Sequence, residues 1–206
     1  MYHKSICIAL LLGAVATLPE VKAQVILNEI SASNLTAYAD GFGEYEDWVE
    51  LYNPAGTPVD ISGWYLSDSQ NNPLKWQFPP GTQVAANGRT VIFCSGRNTT
   101  VAPFHTNFKL GQTQQEWVVL SDQNGNVVDD YKLLDPTKTN GSRGRTTDGA
   151  PTWSLFPVAT PGAANTGASP EYTARPQLSP AAGFYAGAQN VTMTSPVPGA
   201  TIRYTL

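Results

Sequence analysis

The sequence is poor in the residue types that most often carry chemistry. Charged residues make up 14% of it, and it holds two cysteines and two histidines. Two cysteines are too few for a disulfide framework, and a zinc site needs several His or Cys ligands. The net charge of −4 argues against nucleic-acid binding, which uses a basic surface. The low charge, together with 41% hydrophobic residues, also argues against a disordered chain.

Residues 1–23 have the three-part pattern of a secretory signal peptide. Lys4 supplies the positive start, residues 6–18 are apolar and uncharged, and Val21-Lys22-Ala23 offers small residues at the −3 and −1 positions. Cleavage after Ala23 would leave Cys94 as the one cysteine of the exported chain. The sequence therefore predicts a secreted or cell-surface protein. No later apolar run is long enough for a transmembrane segment in the mature chain.

The rest of the chain has the pattern of an all-β protein. Short runs rich in Val, Ile, Tyr and Trp are separated by Gly, Pro, Asn and Asp, and no segment keeps a helical period. The predicted strands are residues 25–31, 47–52, 59–67, 74–78, 89–95, 116–122, 126–132 and 153–156. Asn124-Gly125 predicts a tight hairpin turn, because Asn and Gly tolerate the positive φ angles that such turns require.

Composition divides the mature chain into two units. Residues 24–165 hold the strands above, and residues 166–175 are small, polar and Pro-containing, as in a linker. A second β pattern begins at Gln177, with predicted strands at 191–194 and 200–206. Because residues 176–206 are too few to close a core, we expect them to be the truncated beginning of a second small β domain of a longer protein.

The densest cluster of candidate metal ligands is acidic. Asp40, Glu44, Glu46 and Asp47 lie close together in the sequence, and neighbouring glycines would let the backbone fold around an ion such as Ca²⁺. Their spacing does not match an EF-hand loop. We expect instead a solvated loop leading into a strand, with Glu50 paired to a buried donor such as an Arg or a backbone N–H. We expect no cofactor and no catalytic or cofactor-binding residue, with Ca²⁺ at this loop as the alternative.

Other polar residues point to structural roles. A catalytic base needs a nucleophile to activate, and the sequence has no Gly-x-Ser-x-Gly elbow that would present one. The ring of His105 is therefore expected to pack in a loop near Phe104 and Phe108. Cys94 lies in an apolar strand, where a thiol is normally inert. Arg143 and Arg145 are expected to form surface ion pairs near Asp148, with anion binding as the alternative.

Aromatic residues are the best candidates for a surface contact. The chain has five tryptophans, and exposed Trp and Tyr side chains stack on sugar rings or anchor protein interfaces. Trp64 and Tyr65 are adjacent, so in one strand they would point to opposite faces. Trp64, Tyr65 and Trp76 are therefore the predicted contact residues.

Eight blocks follow one another between residues 25 and 165: VILNEI, EDWVELYNP, VDISGWYLS, KWQF, GRTVIF, NFKLG, WVVLSDQNGNVVD and TPGAAN. In this order they resemble the lamin tail domain in its bacterial, secreted form. The resemblance implies an immunoglobulin-like β-sandwich, in agreement with the strand pattern. Animal lamins place this domain behind a coiled-coil rod. This chain has no heptads, so filament assembly and nuclear roles do not carry over.

Residues 176–206 resemble the start of the chitobiase/β-hexosaminidase C-terminal-like module of secreted bacterial proteins. Together the two resemblances imply a non-catalytic binding or structural module of an exported bacterial multidomain protein. Its partner would be a protein or a cell-surface polysaccharide. The alternative is an accessory N-terminal region, carbohydrate-binding or positioning, of a larger secreted enzyme such as a spore-coat-H-like kinase or a hydrolase.

Overall fold

The computed structural model describes residues 25–112, 115–134, 136–170 and 175–205. These residues contain no helix, and so none that is long and apolar enough to cross a membrane. The predicted signal peptide, residues 1–23, lies outside the described residues. The strands are β1 (Ile26–Ser31), β2 (Trp48–Tyr52), β3 (Val59–Asp60), β4 (Tyr65–Ser67), β5 (Trp76–Gln77), β6 (Gln83–Val84), β7 (Arg89–Phe93), β8 (Phe104–His105), β9 (Glu116–Ser121), β10 (Val127–Leu133), β11 (Ser142–Arg145), β12 (Trp153–Phe156), β13 (Gln177–Ser179) and β14 (Thr192–Thr194).

Strands β1 to β12 build a β-sandwich. The larger sheet has the order β12-β11-β1-β2-β7-β8, the smaller has the order β10-β9-β4-β5, and β3 pairs with β6. Neighbouring strands are antiparallel except β7 and β8. The two sheets bury one apolar core that includes Leu27, Val49, Leu51, Ile92, Leu66, Trp76, Val118 and Leu120. The all-β, immunoglobulin-like sandwich predicted from the sequence is confirmed.

The side chains of β2 alternate between the two faces of the larger sheet. Val49 and Leu51 enter the core, while Glu50 projects to the opposite face of the sheet, because successive strand residues alternate. Burial does not distinguish the two faces, since Glu50 is also fully buried. A second layer of protein must therefore cover the outer face of the larger sheet at this point.

The predicted strand at residues 59–67 is two strands. Gly63 has φ +77°, a conformation that favours glycine, and Asp60 Oδ1 accepts a hydrogen bond from the Ser62 N–H at 2.8 Å. The chain turns there, so β3 pairs with β6 and β4 joins the smaller sheet. The prediction of one continuous strand, with Trp64 and Tyr65 on opposite faces of it, was wrong.

The Asn124-Gly125 turn is longer than predicted. Gly125 has φ +83°, but Asn124 is not among the residues with positive φ. Asp122 Oδ1 instead accepts hydrogen bonds from the N–H groups of Asn124 and Asn126. This side-chain cap closes a five-residue loop between β9 and β10, where the predicted strand bounds left three residues for a tight hairpin turn.

The second unit contains one hairpin within its described residues. Strands β13 and β14 pair antiparallel, with Leu178 opposite Met193. The β pattern predicted from Gln177 and at residues 191–194 is thus present. Residues 200–205, predicted as part of a strand, form none.

Candidate functional site

The acidic cluster does not converge on a common point. Each carboxylate has its own protein partner. Asp40 accepts hydrogen bonds from the N–H groups of Phe42 and Glu44, and Glu44 pairs with Arg97. Glu46 lies 3.5 Å from Lys109 Nζ, and Asp47 accepts a hydrogen bond from the Asn34 N–H at 3.1 Å. No group of three or more His, Cys, Asp or Glu side chains in the described part of the chain is arranged to hold a metal ion. These carboxylates organise the loop and its neighbours instead.

Glu50 has the kind of partner that the sequence suggested. One carboxylate oxygen accepts a hydrogen bond from the Gly162 N–H at 2.6 Å, and the other accepts from Asn28 Nδ2 at 2.9 Å. Burial raises the pKa of Glu50 to about 7. Burial also raises the pKa of Asp47, to about 6.

Asp40 shapes a turn that presents Phe42. Its Oδ1 accepts from the N–H groups of Phe42 and Glu44, each at 2.8 Å, and its own N–H donates to the Glu44 carbonyl at 2.8 Å. Gly43, with φ +80°, allows the tight return of the chain. The Phe42 side chain stands at the tip of this turn and is 61% exposed.

A second loop, residues 97–103, packs against the turn. The Arg97 guanidinium lies 4.6 Å from the centre of the Phe42 ring and pairs with Glu44. A Cβ atom on Gly41 would lie 3.0 Å from Pro103, so the two loops touch closely. Residues 40–45 and 97–103 together form what we call the Phe42 face. Tyr45 and Val101 add further exposed side chains to it, at 46% and 77% exposure.

His105 lies beneath Phe42 and is fully buried. Its ring stacks on Phe93 with 5.1 Å between centroids and meets Phe42 at 5.6 Å. This corrects the expected packing near Phe104 and Phe108, because His105 belongs to strand β8 rather than to a loop. Burial lowers the pKa of His105, which favours the neutral ring beneath the Phe42 face.

Ser95, His105 and Asp40 form a line that resembles a catalytic triad but lacks its geometry. Ser95 Oγ lies 2.9 Å from His105 Nδ1, whereas Asp40 Oδ2 lies 3.7 Å from His105 Nε2, too far for a hydrogen bond. All three residues are buried, so the Ser95 hydroxyl is not presented at the surface. The arrangement supports the turn and does not suit nucleophilic catalysis.

The predicted aromatic contact residues are not equivalent. Trp76 is 2% exposed and packs edge-on against Phe78 at 4.8 Å, so the expectation that it forms a surface contact is corrected. Within β5, Trp76 faces the core and Gln77 is exposed. Trp64 is half-buried and packs against the core. Tyr65 is half-buried, and its hydroxyl accepts a hydrogen bond from Gln77 Nε2 at 3.0 Å.

The basic pair also differs from expectation. Arg145 is buried and donates to the Leu27 carbonyl at 2.6 Å and to Asp129 at 2.7 Å, while Asp148 pairs with Arg89. Arg145 is therefore a buried structural residue and not a surface anion ligand. The Cys94 thiol is buried, and burial raises its pKa, in keeping with an inert thiol.

Comparison with known families identifies the sandwich. The family model for the lamin tail domain matches residues 19–134. The chain belongs to the lamin tail domain family. This family is a non-catalytic, immunoglobulin-like domain family, which fits the buried Ser95–His105–Asp40 line. No curated protein matches the chain.

Sequence reasoning missed the exposed residues of this lamin tail domain. Phe42 and Arg97 were not among the predicted contact residues, although Asp40-Gly41-Phe42-Gly43 carries a turn signal around a lone aromatic residue. That segment was interpreted as a solvated loop or a cation site, and not as a contact surface. The three predicted aromatic residues instead border or enter the core, where a large aromatic side chain buries the most area.

Proposed function

We propose that this lamin tail domain is the non-catalytic binding module of an exported bacterial protein, and that it binds its partner through the Phe42 face. The observation that carries the proposal is the Phe42 ring, which is 61% exposed although Arg97 and His105 hold it in place. A large apolar side chain kept in water by an ordered setting is typical of the anchor residues of interfaces.

The setting of Phe42 favours binding for an energetic reason. Ordering a side chain on association costs free energy, and a side chain that is already ordered avoids that cost. The Asp40 turn, the Arg97 guanidinium and the His105 ring leave little freedom to Phe42 before any partner arrives. The nearby Arg97–Glu44 pair supplies a polar rim with balanced charge.

Export and bacterial origin belong to the same proposal. They rest on the signal-peptide pattern of residues 1–23 and on the resemblance of the sequence blocks to the bacterial form of the domain. We also propose that the module works without Ca²⁺, because each carboxylate of the predicted cation loop is engaged by a protein donor.

The division of the chain extends the proposal to the remaining residues. We propose a sandwich at 24–165, a linker at 166–175 and a chitobiase-like module beginning at 176. The β13–β14 hairpin, which lies where that module was expected, supports the last of these. It also favours the alternative function, in which the sandwich positions a larger secreted enzyme at a surface.

The test measures adhesion of the exported chain, residues 24–206, to cells of the host that secretes it. A fluorescent label at the chain terminus reports the bound fraction. We expect the wild-type chain to bind and Phe42→Ala to lose at least tenfold in affinity, since interface anchors contribute about 2 kcal/mol or more. Pretreating the cells with protease abolishes binding if the partner is a protein and leaves it intact if the partner is a polysaccharide.

Val158→Ala is the matched control, because Val158 is also an exposed apolar side chain but lies outside the Phe42 face. This variant should bind as the wild type does. Equal loss in both variants, or no loss in Phe42→Ala, would overturn the assignment of the face. Absence of any binding by the wild-type chain would overturn the binding function itself.

A further inference from the structure

A second polar cluster lies on the outer face of the larger sheet, away from the core side of β1 and β2. Residues 160–165, which follow β12 and which we call the strap, cross this face. Glu29 in β1 accepts hydrogen bonds from the Thr160 N–H at 2.9 Å and from the Thr160 hydroxyl at 2.7 Å. Glu50 in β2 accepts from the Gly162 N–H at 2.6 Å. Two carboxyl groups thus hold the strap by its backbone and one hydroxyl.

The two carboxyl groups are close to each other and fully buried. Glu29 and Glu50 are register partners on neighbouring antiparallel strands, and each has 0% exposure. Paired positions in a ladder place their side chains on the same face at short range. The strap is the layer that covers this face, so its position decides whether water reaches the carboxyl groups.

Few positive charges compensate this pair. The groups that face Glu50 electrostatically are Glu29 from β1, Arg89 from β7 and, next to Arg89, Asp148 from the loop before β12. Nε and Nη2 of Arg89 both donate to the Asp148 carboxylate. Burial accordingly raises the pKa of Glu50 to about 7 and also raises the pKa of Glu29.

The fit of the strap is tight at its far end. A Cβ atom on Gly144 of β11 would lie 3.1 Å from Asn165 Nδ2, from Glu29 Cγ and from the Phe156 ring. Asn165 Nδ2 donates to the carbonyls of Asn28 and Arg145, at 3.2 and 2.7 Å. These contacts fix the far end of the strap against β1 and β11.

We propose that protonation controls the equilibrium between the seated and the detached strap. The Glu29–Glu50 pair carries a proton while the strap is seated and releases it when the strap detaches. Detachment returns the carboxyl groups to water, where they ionise in the ordinary range. Detachment of the protonated form therefore releases a proton at neutral pH. Lower pH therefore stabilises the seated strap and higher pH destabilises it.

The direct test follows the Gly162 amide of the 24–206 chain by NMR between pH 4 and 9. This N–H donates to Glu50, so its chemical shift reports ionisation of that carboxyl group. We expect a midpoint near 7. The matched control is the Ser62 amide, which donates to Asp60 at 2.8 Å. Asp60 is exposed and its hydrogen bonds from Ser62 lower its pKa, so the Ser62 amide should not move between pH 5 and 9.

Limited proteolysis tests the detachment step. The cleavage rate at residues 160–165 is measured for the wild type and for Glu50→Gln at each pH, and their ratio cancels the pH dependence of the protease. We expect this ratio to rise about tenfold per pH unit between pH 5 and 7 and to level off above, as for release of one proton. Asp130→Asn, at an exposed acid, should behave as the wild type.

Two results would overturn the proposal. One is a Gly162 midpoint in the ordinary range of Glu, near 4.5, and the other is a cleavage ratio that does not change with pH. If Glu50→Gln fails to fold, the wild-type titration of Gly162 decides alone. Neither readout involves the Phe42 face, so this proposal and the proposed binding function fail independently.

Discussion

Asn28 and Asn165 bind each other in both directions across 137 positions of sequence. Asn28 Nδ2 donates to Asn165 Oδ1 at 3.2 Å, and Asn165 Nδ2 donates to the Asn28 carbonyl at 3.2 Å. Both side chains are buried. One residue lies in the first strand of the sandwich and the other at the end of the strap, so this pair joins the two ends of the domain.

Asn165→Ala should therefore destabilise the domain. It leaves the buried Asn28 and Arg145 carbonyls without the Asn165 donor, and an unsatisfied buried polar group costs about 1–3 kcal/mol. We expect a loss of that size in the free energy of unfolding measured with urea. Asn71→Ala, at an exposed loop position, is the control and should change it by less than about 0.5 kcal/mol. Equal effects of the two variants would contradict the role of Asn165.

Trp76→Ala should destabilise far more than Tyr65→Ala. Trp76 is buried against Phe78, and removal of such a side chain costs about 3–5 kcal/mol. Tyr65 is half-buried and its hydroxyl bond to Gln77 is exposed to water, so we expect about 1–2 kcal/mol for its loss. Urea unfolding of both variants makes the comparison. Similar losses would show that Trp76 is not the core residue described above.

Stability should depend on pH through Asp47. Burial raises its pKa from 3.8 to about 6, so folding favours the protonated form. The resulting stabilisation is fully present below pH 3.8 and is lost as the pH rises through about 6. The free energy of unfolding of the wild type relative to Asp47→Asn should therefore fall between pH 4 and 6 and then stay constant. A relative stability that rises over this range would show the opposite shift.

A chain that ends at residue 134, where the family match ends, should not form the sandwich. It lacks β11, which pairs with β1, and the buried Leu155 and Phe156 of β12. Strand β1 would become an exposed edge beside a partly open core, which favours aggregation. Circular dichroism and sedimentation of residues 24–134 and 24–170 test this, with the longer chain as the folded control. A monomeric, folded 24–134 chain would contradict it.

Sequence reasoning succeeded where burial follows a local period. Strands β2, β7 and β9 were predicted because short apolar runs end at Asn, Gly or Pro signals, and their bounds agree with the structure to within two residues. A backbone N–H donor for Glu50, expected from the sequence, was also confirmed, as the Gly162 N–H. A carboxylate within an apolar strand needs such a donor whatever the fold is.

Sequence reasoning failed where a residue is buried by segments that are distant in the sequence. Strand β11 has the sequence SRGR and would be expected in a loop, yet all four of its residues are buried. Its polar groups find partners on β1, on β10 and in the strap, as with Arg145 on Leu27 and Asp129. Strands β6 and β8 were missed because two residues are too short to show alternation.

The sequence by itself determined the β class, the family and most strand positions, because strand alternation and turn chemistry are properties of neighbouring residues. Only the tertiary structure decided that Trp76 belongs to the core, that Phe42 is exposed, and that Glu29 and Glu50 lie under the strap. Those outcomes depend on which segments pack together. Residues 29, 50 and 162 become neighbours only when β1, β2 and the strap close on one another.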